Sequence, residues 1–482
     1  MKDLLIRVLH AYESGVLVYL AVINTIYFIL LLVGFLELLR HRFVQHDPEE
    51  LRTLEFSSLV PPISVLAPAY NEAATIRESV RAMLSLRYPE FEVIVINDGS
   101  KDETLRLLID EFHLYKSARF YETPLQTKPI RGVYESIDPI RLVVIDKDNG
   151  GKADSLNAGI NVAHYPLVCS VDSDSLLEND ALLRVAKPFV EDPGLVVAVG
   201  GIVRVANGCS ISGGHVEQVD LPKSWIARIQ VVEYLRAFLG GRVAFSAFNC
   251  MLIISGAFGL FLKSAALAVG GYDTNTVGED MELILRLHRR GLLENKTYRI
   301  VFQPDPVCWT EVPESLQILK RQRTRWQRGT IESVWKHRGI LFRPRYRTLG
   351  LFAFPYYVLF EMLGPLVELS GYLLTIVGLA FGFFNWNMAV LFFFAAVLYG
   401  MILSTSSVVL EELTMRRYPN VRNLLTLIGA AILENLGYRQ LLTVWRAGAF
   451  VDVLRGRKGW GEMKRKGFAK DSSPAEAPVA RN

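Results

Sequence analysis

Cysteine is scarce in this chain of 482 residues, and the four cysteines that occur show no paired spacing. They are Cys169, Cys209, Cys250 and Cys308. Without close pairs, the sequence indicates neither a zinc site nor a disulfide framework. We therefore interpret the cysteines as reduced, buried thiols of a protein that faces the cytosol.

Two common nucleotide-binding signatures are also missing from the sequence. It contains no GxxxxGK[S/T] phosphate loop and no GxGxxG fingerprint, which counts against a membrane protein driven by ATP or NAD. His164 and His215 have no partners at metal-ligand spacing, so we interpret both as structural or surface residues. The net charge is only +4, and we expect no nucleic-acid partner.

Apolar residues, by contrast, are plentiful and concentrated near the two ends of the chain. They make up 51% of the sequence, and the mean hydropathy of +0.24 is high for a soluble protein. Residues 16–39 carry no charge except Glu37, and ~20 such residues suffice to cross a membrane as a helix. No cleavage site follows, so we predict an uncleaved span. Arg40, His41 and Arg42 place the next segment in the cytoplasm by the positive-inside rule.

The C-terminal part is again apolar and ends in a basic tail. Residues 455–470 are rich in Lys and Arg, which predicts a cytoplasmic tail and therefore an even number of crossings before it. Four crossings are expected if the first two apolar stretches are short spans. Two are expected if 348–363 and the more polar 422–448 lie at the interface or form a re-entrant segment. The apolar stretches are 348–367, 368–385, 387–410 and 422–448.

Between the apolar ends, strand-like and helix-like segments alternate. Such strand–loop–helix repeats predict an α/β domain with a Rossmann-like, mostly parallel sheet and ligands at the carboxyl ends of its strands. An Arg-rich helix is expected at 318–337. The predicted strands are 63–66, 91–96, 142–145 and 167–171.

Asp172 and Asp174 directly follow the last of these strands. Side chains two apart in an extended chain point the same way, so the pair forms an oxygen-only site suited to Mg²⁺ or Mn²⁺ carrying a diphosphate. Taken alone, Asp-x-Asp is also common in turns, where it caps helices. Polar clusters at the ends of the other strands favour the functional interpretation.

Six motifs in order give the chain a family resemblance. It resembles the membrane-embedded, inverting family-2 glycosyltransferases, which include the bacterial poly-N-acetylglucosamine, cellulose and hyaluronan synthases, and the spelling is most similar to the first of these. Gly278 departs from the Thr that many members have there, and no soluble cyclic-dinucleotide receptor domain follows the membrane part. The motifs are Ala69-Tyr70-Asn71-Glu72, Asn97-Asp98-Gly99-Ser100, Gly151-Lys152-Ala153, Asp172-Ser173-Asp174, Gly278-Glu279-Asp280 and Gln322-Arg323-Thr324-Arg325-Trp326.

The resemblance implies a GT-A nucleotide-diphospho-sugar transferase domain joined to transmembrane helices in the inner membrane, with the catalytic domain in the cytoplasm. It implies a processive, metal-dependent synthase that uses a UDP-sugar, in particular UDP-N-acetylglucosamine, and Mg²⁺ or Mn²⁺. The growing polysaccharide and the lipid bilayer are its partners, and accessory export subunits are compatible with it. The expected domains are 1–42 (first span), 43–317 (transferase), 318–347 (interfacial helix), 348–448 (membrane helices) and 449–482 (basic tail).

The resemblance also assigns roles to individual residues. Asp280 is the expected base, Asp174 a metal ligand, and Asp172 a ligand of the metal or of the donor. The remaining donor-binding residues are Tyr70, Glu72, Asp98, Lys152 and Arg325, and the acceptor-binding residues are Gln322, Trp326 and Glu279.

Each of these roles has a plainer alternative. Lys152 also suits an ordinary solvated helix start, and Glu279 also suits an acid in the first turn of a helix. The segment 322–326 also suits a basic interfacial helix on lipid headgroups. In the tail, Trp460 lies between two glycines and resembles the Trp-Gly gating loop of hyaluronan synthases. Lys464 and Arg465 would meet the donor diphosphate there, with a basic strip on headgroups as the alternative.

Two other functions remain open at this stage. A transferase that adds one sugar to a lipid-linked acceptor needs the same chemistry and differs in product length. A membrane transporter or receptor with a nucleotide-binding domain and no catalysis would release no UDP from any sugar donor.

Overall fold

A computed structural model describes residues 2–41, 48–57, 59–136, 141–381, 385–418 and 420–456. A ten-stranded sheet, in the order β3-β4-β5-β2-β1-β6-β11-β8-β12-β7, forms its centre, and β9 pairs with β10 in a separate hairpin. The strands are β1 Ile63–Ala69, β2 Phe91–Asp98, β3 Leu114–Ser117, β4 Ile130–Ser136, β5 Leu142–Lys147, β6 Leu167–Val171, β7 Leu176–Leu177, β8 Val196–Val205, β9 Ser210–Ser212, β10 His215–Gln218, β11 Phe258–Leu262 and β12 Arg299–Thr310.

Helices cover the sheet and form the apolar ends of the chain. The α-helices are α1 Lys2–Arg40, α2 Pro48–Glu55, α3 Ile76–Leu84, α4 Thr104–Glu111, α5 Lys152–Val162, α6 Ala181–Glu191, α7 Trp225–Leu235, α8 Val243–Ala247, α9 Lys263–Ala268, α10 Glu279–Leu293, α11 Leu316–Lys336, α12 Phe354–Tyr356, α13 Gly364–Phe381, α14 Trp386–Phe393, α15 Tyr399–Thr414, α16 Val421–Leu433 and α17 Arg439–Leu454. Wider π-helical turns lie at Arg236–Arg242, Leu349–Ala353, Tyr357–Met362, Phe394–Leu398 and Glu434–Tyr438, and 3₁₀ turns at Arg338–Ile340 and Pro344–Tyr346.

The centre of the sheet is parallel, and antiparallel pairs occur on both of its flanks. β5, β2, β1 and β6 run side by side in one direction, and every residue of β2 is buried. Such apolar runs are typical of strands covered on both faces. The predicted α/β class is confirmed. The sheet is mixed rather than mostly parallel, because β4 and β11 each run against their neighbours.

The four predicted strands are present, and three of them continue further than the apolar residues do. β1 extends to Ala69, and β2 and β5 pair as far as Asp98 and Lys147. Polar residues at the strand ends therefore belong to the sheet itself, which fixes the direction of the side chains that follow.

Three helical segments are long and apolar enough to cross a membrane: Arg7–Arg40, Leu349–Phe381 and Trp386–Thr414. The predicted stretches 348–367 and 368–385 thus form one apolar helical segment with a bend at Leu363. The stretch 422–448 is interrupted by the non-helical residues Leu436 and Gly437. α16 packs against α7 and α17 against α11. By length and composition, two helical segments of the described C-terminal part could therefore cross a membrane, and the first of them includes 349–363, which the two-crossing alternative had put at the interface.

Close backbone contact joins the first apolar helix to the transferase part. A Cβ atom placed on Gly34 of α1 would lie 2.7 Å from the carbonyl oxygen of Leu239. Only glycine permits such an approach. The π-helical turn Arg236–Arg242 is therefore pressed directly against α1.

Candidate active site

One cavity of about 2100 Å³ opens at the carboxyl ends of β1, β2 and β6. It is lined by every predicted site residue that lies in the described part of the chain. These residues are Tyr70, Glu72, Asp98, Lys152, Asp172, Asp174, Glu279, Asp280, Gln322, Arg325 and Trp326. The predicted gating residues Trp460, Lys464 and Arg465 lie outside the described residues.

Lys152 links Asp172, a predicted ligand of the metal or donor, to the predicted base Asp280. Its Nζ donates to the Asp172 carboxylate and, over 2.9 Å, to the carbonyl oxygen of Gly256. The amide of Gly256 donates to Oδ2 of Asp280 at 3.2 Å. Burial alone would lower the pKa of Lys152, but Asp172 and Glu279 outweigh it and raise that pKa. Lys152 is therefore a cation inside the site, and its interpretation as a solvated helix start is wrong.

Asp98 holds the glycine-rich loop before α5. Its carboxylate accepts hydrogen bonds from the amides of Gly150 and Gly151 at 2.9 and 2.8 Å, and from Nζ of Lys147 at 2.7 Å. Gly151 adopts a φ of +86°, which glycine permits. These contacts give Asp98 a part in positioning Lys152, the first residue of α5. Its predicted contact with the donor stays a prediction.

Tyr70 and Glu72 follow β1 in a loop that is tied to the loop after β2. The amide of Asn71 donates to Oγ of Ser100 at 3.0 Å, and the amide of Glu72 donates to Oγ1 of Thr104 at 2.9 Å. Tyr70 is 45% exposed at the edge of the cavity. The loop that carries the two predicted nucleotide-binding side chains is therefore held in place by hydrogen bonds.

Glu279 and Asp280 begin α10, and they differ in environment. Glu279 is buried, whereas Asp280 is partly accessible. Burial and the Asp280 carboxylate raise the pKa of Glu279 to about 7, although Lys152 opposes the shift. Glu279 is thus a buried acid in the first turn of α10, as the plainer alternative has it, and its pKa is raised to near neutrality.

The departure at Gly278 has a packing explanation. A Cβ atom at this position would lie 2.8 Å from the carbonyl oxygen of Gly329 on α11. Oγ of Ser333 also donates to the carbonyl oxygen of Gly278 at 3.3 Å. α11 can therefore approach the start of α10 more closely than a Thr side chain would permit.

α11 presents the predicted acceptor residues to the cavity. Trp326 is 41% exposed, and the guanidinium of Arg323 lies 4.4 Å from the centre of its ring. Arg323 pairs with Glu233 of α7, which also accepts a hydrogen bond from the Tyr438 hydroxyl at 3.0 Å. Arg323 and Glu233 were missed at the sequence level. The sequence shows the basic residues around Trp326, but Glu233, the partner of Arg323, lies far away along the chain.

The acid pair fits a divalent cation. Asp172 and Asp174 offer only oxygen ligands, and Mg²⁺ is commonly held by one or two carboxylates together with substrate phosphates. No group of three or more His, Cys, Asp or Glu side chains at metal-ligand distance occurs in the described ranges. A metal at this place would therefore depend on the donor diphosphate for further ligands.

The cavity continues from this site between the apolar helices, where it is lined by ion pairs. Arg446 pairs with Glu361 at 3.3 Å, and Arg439 with Glu368 at 3.8 Å. Arg236 pairs with Glu434 at 2.7 Å. These pairs were not predicted, although ionisable residues inside apolar segments are a known functional signal.

Two family models match the chain. Glycosyl transferase family 2 matches residues 64–215, and glycosyl transferase family group 2 matches residues 167–403. A poly-beta-1,6-N-acetyl-D-glucosamine synthase of Staphylococcus aureus is 33% identical over 62% of this chain, and the match spans 60% of that protein. The corresponding Staphylococcus epidermidis synthase is 29% identical over 88% of this chain and 89% of its own.

Solved structures also resemble the chain. A mannosyltransferase from Pyrobaculum calidifontis, in complex with GDP-Man and Mn²⁺, is 18% identical, with a TM-score of 0.47 over 86% of this chain and 99% of its own. TarS of S. aureus is 14% identical, with a TM-score of 0.39 over 82% of this chain and 92% of its own. Residues 64–403 thus match glycosyltransferase family 2 models between them, and the chain is related to the poly-β-1,6-N-acetylglucosamine synthases.

Proposed function

We propose that the chain polymerises a UDP-sugar, UDP-N-acetylglucosamine, into a polysaccharide by inverting transfer and passes the product through its own membrane helices. The observation that carries this proposal is the single cavity of about 2100 Å³, which joins the strand-end site to the space between the apolar helices. A product that grows at Trp326 has a continuous route into the membrane part. The similar staphylococcal proteins are poly-beta-1,6-N-acetyl-D-glucosamine synthases, which supports the choice of sugar.

The lining of the route supports a neutral, hydroxyl-rich passenger. Its charged side chains include the pairs Arg446–Glu361, Arg439–Glu368 and Arg236–Glu434. A wall lined by ion pairs has little net charge but retains many hydrogen-bonding groups. Ionisable residues at membrane depth face a bundle interior or a water-filled cavity, which is what a hydrated polymer requires.

The chemistry assigned to the site is one displacement at the anomeric carbon. The acceptor hydroxyl oxygen attacks that carbon, the bond to the diphosphate oxygen breaks, and the proton goes to the carboxylate of Asp280. Lys152 and Arg325 are the cations that stabilise the departing diphosphate. Trp326 supports the terminal acceptor sugar.

Asp172 and Asp174 would hold Mg²⁺ or Mn²⁺ together with the donor diphosphate. The metal supplies positive charge to the leaving group. Tyr70 and Glu72 are assigned to the nucleoside, with Asp98 supporting the loop that carries Lys152.

The proposed location is a bacterial inner membrane, crossed several times, with the transferase on the cytoplasmic side. Directly after α1, His41 contacts Asp305 of β12, and Glu411 near the end of α15 binds Arg204 of β8. The segment 349–414 therefore leaves the transferase side and returns to it. The domain division at 42, 317, 347 and 448, the gating role of Trp460 and any export subunits are part of this proposal.

The test uses inverted membrane vesicles with a panel of UDP-sugars outside. We expect UDP release with UDP-N-acetylglucosamine and a long polymer that an added glycosidase cannot digest until detergent opens the vesicles. A product lengthened by one sugar would support single addition instead. Absence of UDP release with every donor would support the non-catalytic alternative.

A further inference from the structure

Arg242 is a half-buried cation in the wall of the cavity that the assigned chemistry does not use. It ends the π-helical turn Arg236–Arg242 and lines the cavity. Its guanidinium lies 3.9 Å from the centre of the Phe238 ring. Nη1 is buried, and it has no hydrogen-bond acceptor among the residues that the structure describes.

The neighbouring arginines on the same wall differ from Arg242, because each of them has a carboxylate partner. Arg236, at the other end of the turn, donates to both oxygens of Glu434 at 2.9 and 2.7 Å. Arg323 pairs with Glu233. A buried guanidinium that lacks a counter-ion is costly unless another group accepts its hydrogen bonds. Arg242 is therefore positioned to donate to something that enters the cavity.

The surroundings of Arg242 indicate which substrate it meets. Burial lowers its pKa, while Tyr357 and Asp280 act in the opposite direction. The Asp280 carboxylate thus acts electrostatically on both Arg242 and Lys152, and Gly256 joins it to Lys152 through hydrogen bonds. The turn that carries Arg242 packs against α1, on the side where the cavity enters the membrane part.

We propose that Arg242 binds the acceptor and determines its specificity, by donating to the carbonyl oxygen of the 2-acetamido group on the terminal sugar. This rests on the proposed function. Lys152 and Arg325 already serve the diphosphate, so the acceptor is the remaining ligand on this side of the base. An amide oxygen is the strongest neutral hydrogen-bond acceptor on such a sugar, and a guanidinium can only donate.

The test compares two acceptor oligosaccharides with the purified full chain. One is an N-acetylglucosamine oligomer, and the other is the glucose oligomer of the same linkage, which has a hydroxyl in place of the acetamido group. Hydrogen bonds from a charged group are worth about 1.5–3 kcal/mol, or roughly 10- to 150-fold. We expect Arg242→Gln to raise the acceptor KM for the acetylated oligomer by about that factor. The KM for the glucose oligomer and the rate of donor hydrolysis should stay unchanged.

A matched control is available on the adjoining helix. Arg228 also stacks on an aromatic ring, 4.8 Å from the centre of Trp225, but it does not line the cavity. Arg228→Gln should leave the preference for the acetylated oligomer unaltered. Arg242→Lys, which keeps a donor, should restore part of the preference and decides the matter if the Gln variant does not fold.

Three results would overturn the inference. An unchanged ratio of the two acceptor KM values in both Arg242 variants would show that the acetamido group is not its ligand. A higher KM for the UDP-sugar with equally slowed hydrolysis would make the donor, through its diphosphate or its own acetamido group, the ligand. If the wild type releases no UDP, the proposed function has failed, and equal binding of the two oligomers by calorimetry would then also overturn the Arg242 assignment.

Discussion

Arg204 of β8 and Glu411 of α15 form a two-pronged ion pair that joins the catalytic sheet to an apolar helix. Nη1 and Nη2 lie 3.0 and 2.9 Å from the two carboxylate oxygens, and the side chains are only 2% and 3% exposed. A second link follows, since Arg417 binds Glu178 at 2.9 Å, directly after β7. The loop after α15 is thus anchored to the residue that follows β7.

Glu411→Gln should destabilise the protein strongly. Removing one partner of a buried pair leaves an uncompensated charge and costs about 3–5 kcal/mol. Thermal unfolding in detergent measures the loss. Glu412→Gln is the control, because Glu412 pairs at 3.4 Å with an Arg416 that is 70% exposed, and its loss should be below about 1 kcal/mol. Equal losses in the two variants would contradict the structural role of the buried pair.

Asp280→Asn should abolish transfer and leave binding of the UDP-sugar nearly intact. The amide cannot take the acceptor proton, whereas the Lys152–Asp172 contact on the donor side is retained. A general base contributes about 10²–10⁴ to the rate, so kcat should fall by at least that range. UDP release and calorimetric binding are the two measurements, and a loss of only a few-fold would refute Asp280 as the base.

Trp326→Ala should prevent elongation while donor hydrolysis continues. The ring is expected to support the acceptor sugar, and the donor site lies beyond it. Trp335 on the same helix is the control, since it also lies beside an arginine, with Arg338 5.1 Å from its ring centre, but does not line the cavity. Trp335→Ala should retain both activities. Equal loss of hydrolysis and elongation in Trp326→Ala would indicate a purely structural role.

The sequence was sufficient to predict which side chains line the cavity and insufficient to predict the ion pairs around them. Asp172 and Lys152 were predicted because strand ends in a sheet of this type converge, whatever the rest of the chain does. The role of Glu411 was not predicted, because its partner Arg204 lies 207 positions away in the sequence. No local sequence pattern relates the end of a helix to so distant a strand. For 422–448 the polar residues pointed to an interfacial or re-entrant segment, but they did not locate the break at Leu436 and Gly437.

Gly278→Thr, which restores the residue common in the family, should reduce activity in this chain. The added side chain meets the backbone of Gly329, and overpacking of this kind costs about 1–3 kcal/mol. α11 must then move away from α10 and carry Trp326 with it. Gly339→Ala is the control, since nothing lies within 4 Å of a Cβ there. Full activity of Gly278→Thr would contradict the close packing.

Glu279 should make stability depend on pH in the neutral range. Its pKa is raised from 4.5 to about 7, so the folded state holds this proton more tightly than the unfolded state. Stability from this group is fully present below pH 4.5 and is lost as the pH rises through 7, by about 3 kcal/mol in total. Glu279→Gln should therefore gain thermal stability over the wild type between pH 5 and pH 8. Glu282 is the opposite case: burial would raise its pKa, but His337 and Arg286 lower it to about 2. Its contribution is complete above pH 4.5, so Glu282→Gln should be destabilised equally at pH 5 and pH 8. A constant difference between Glu279→Gln and the wild type over this range would show that Glu279 is ionised throughout.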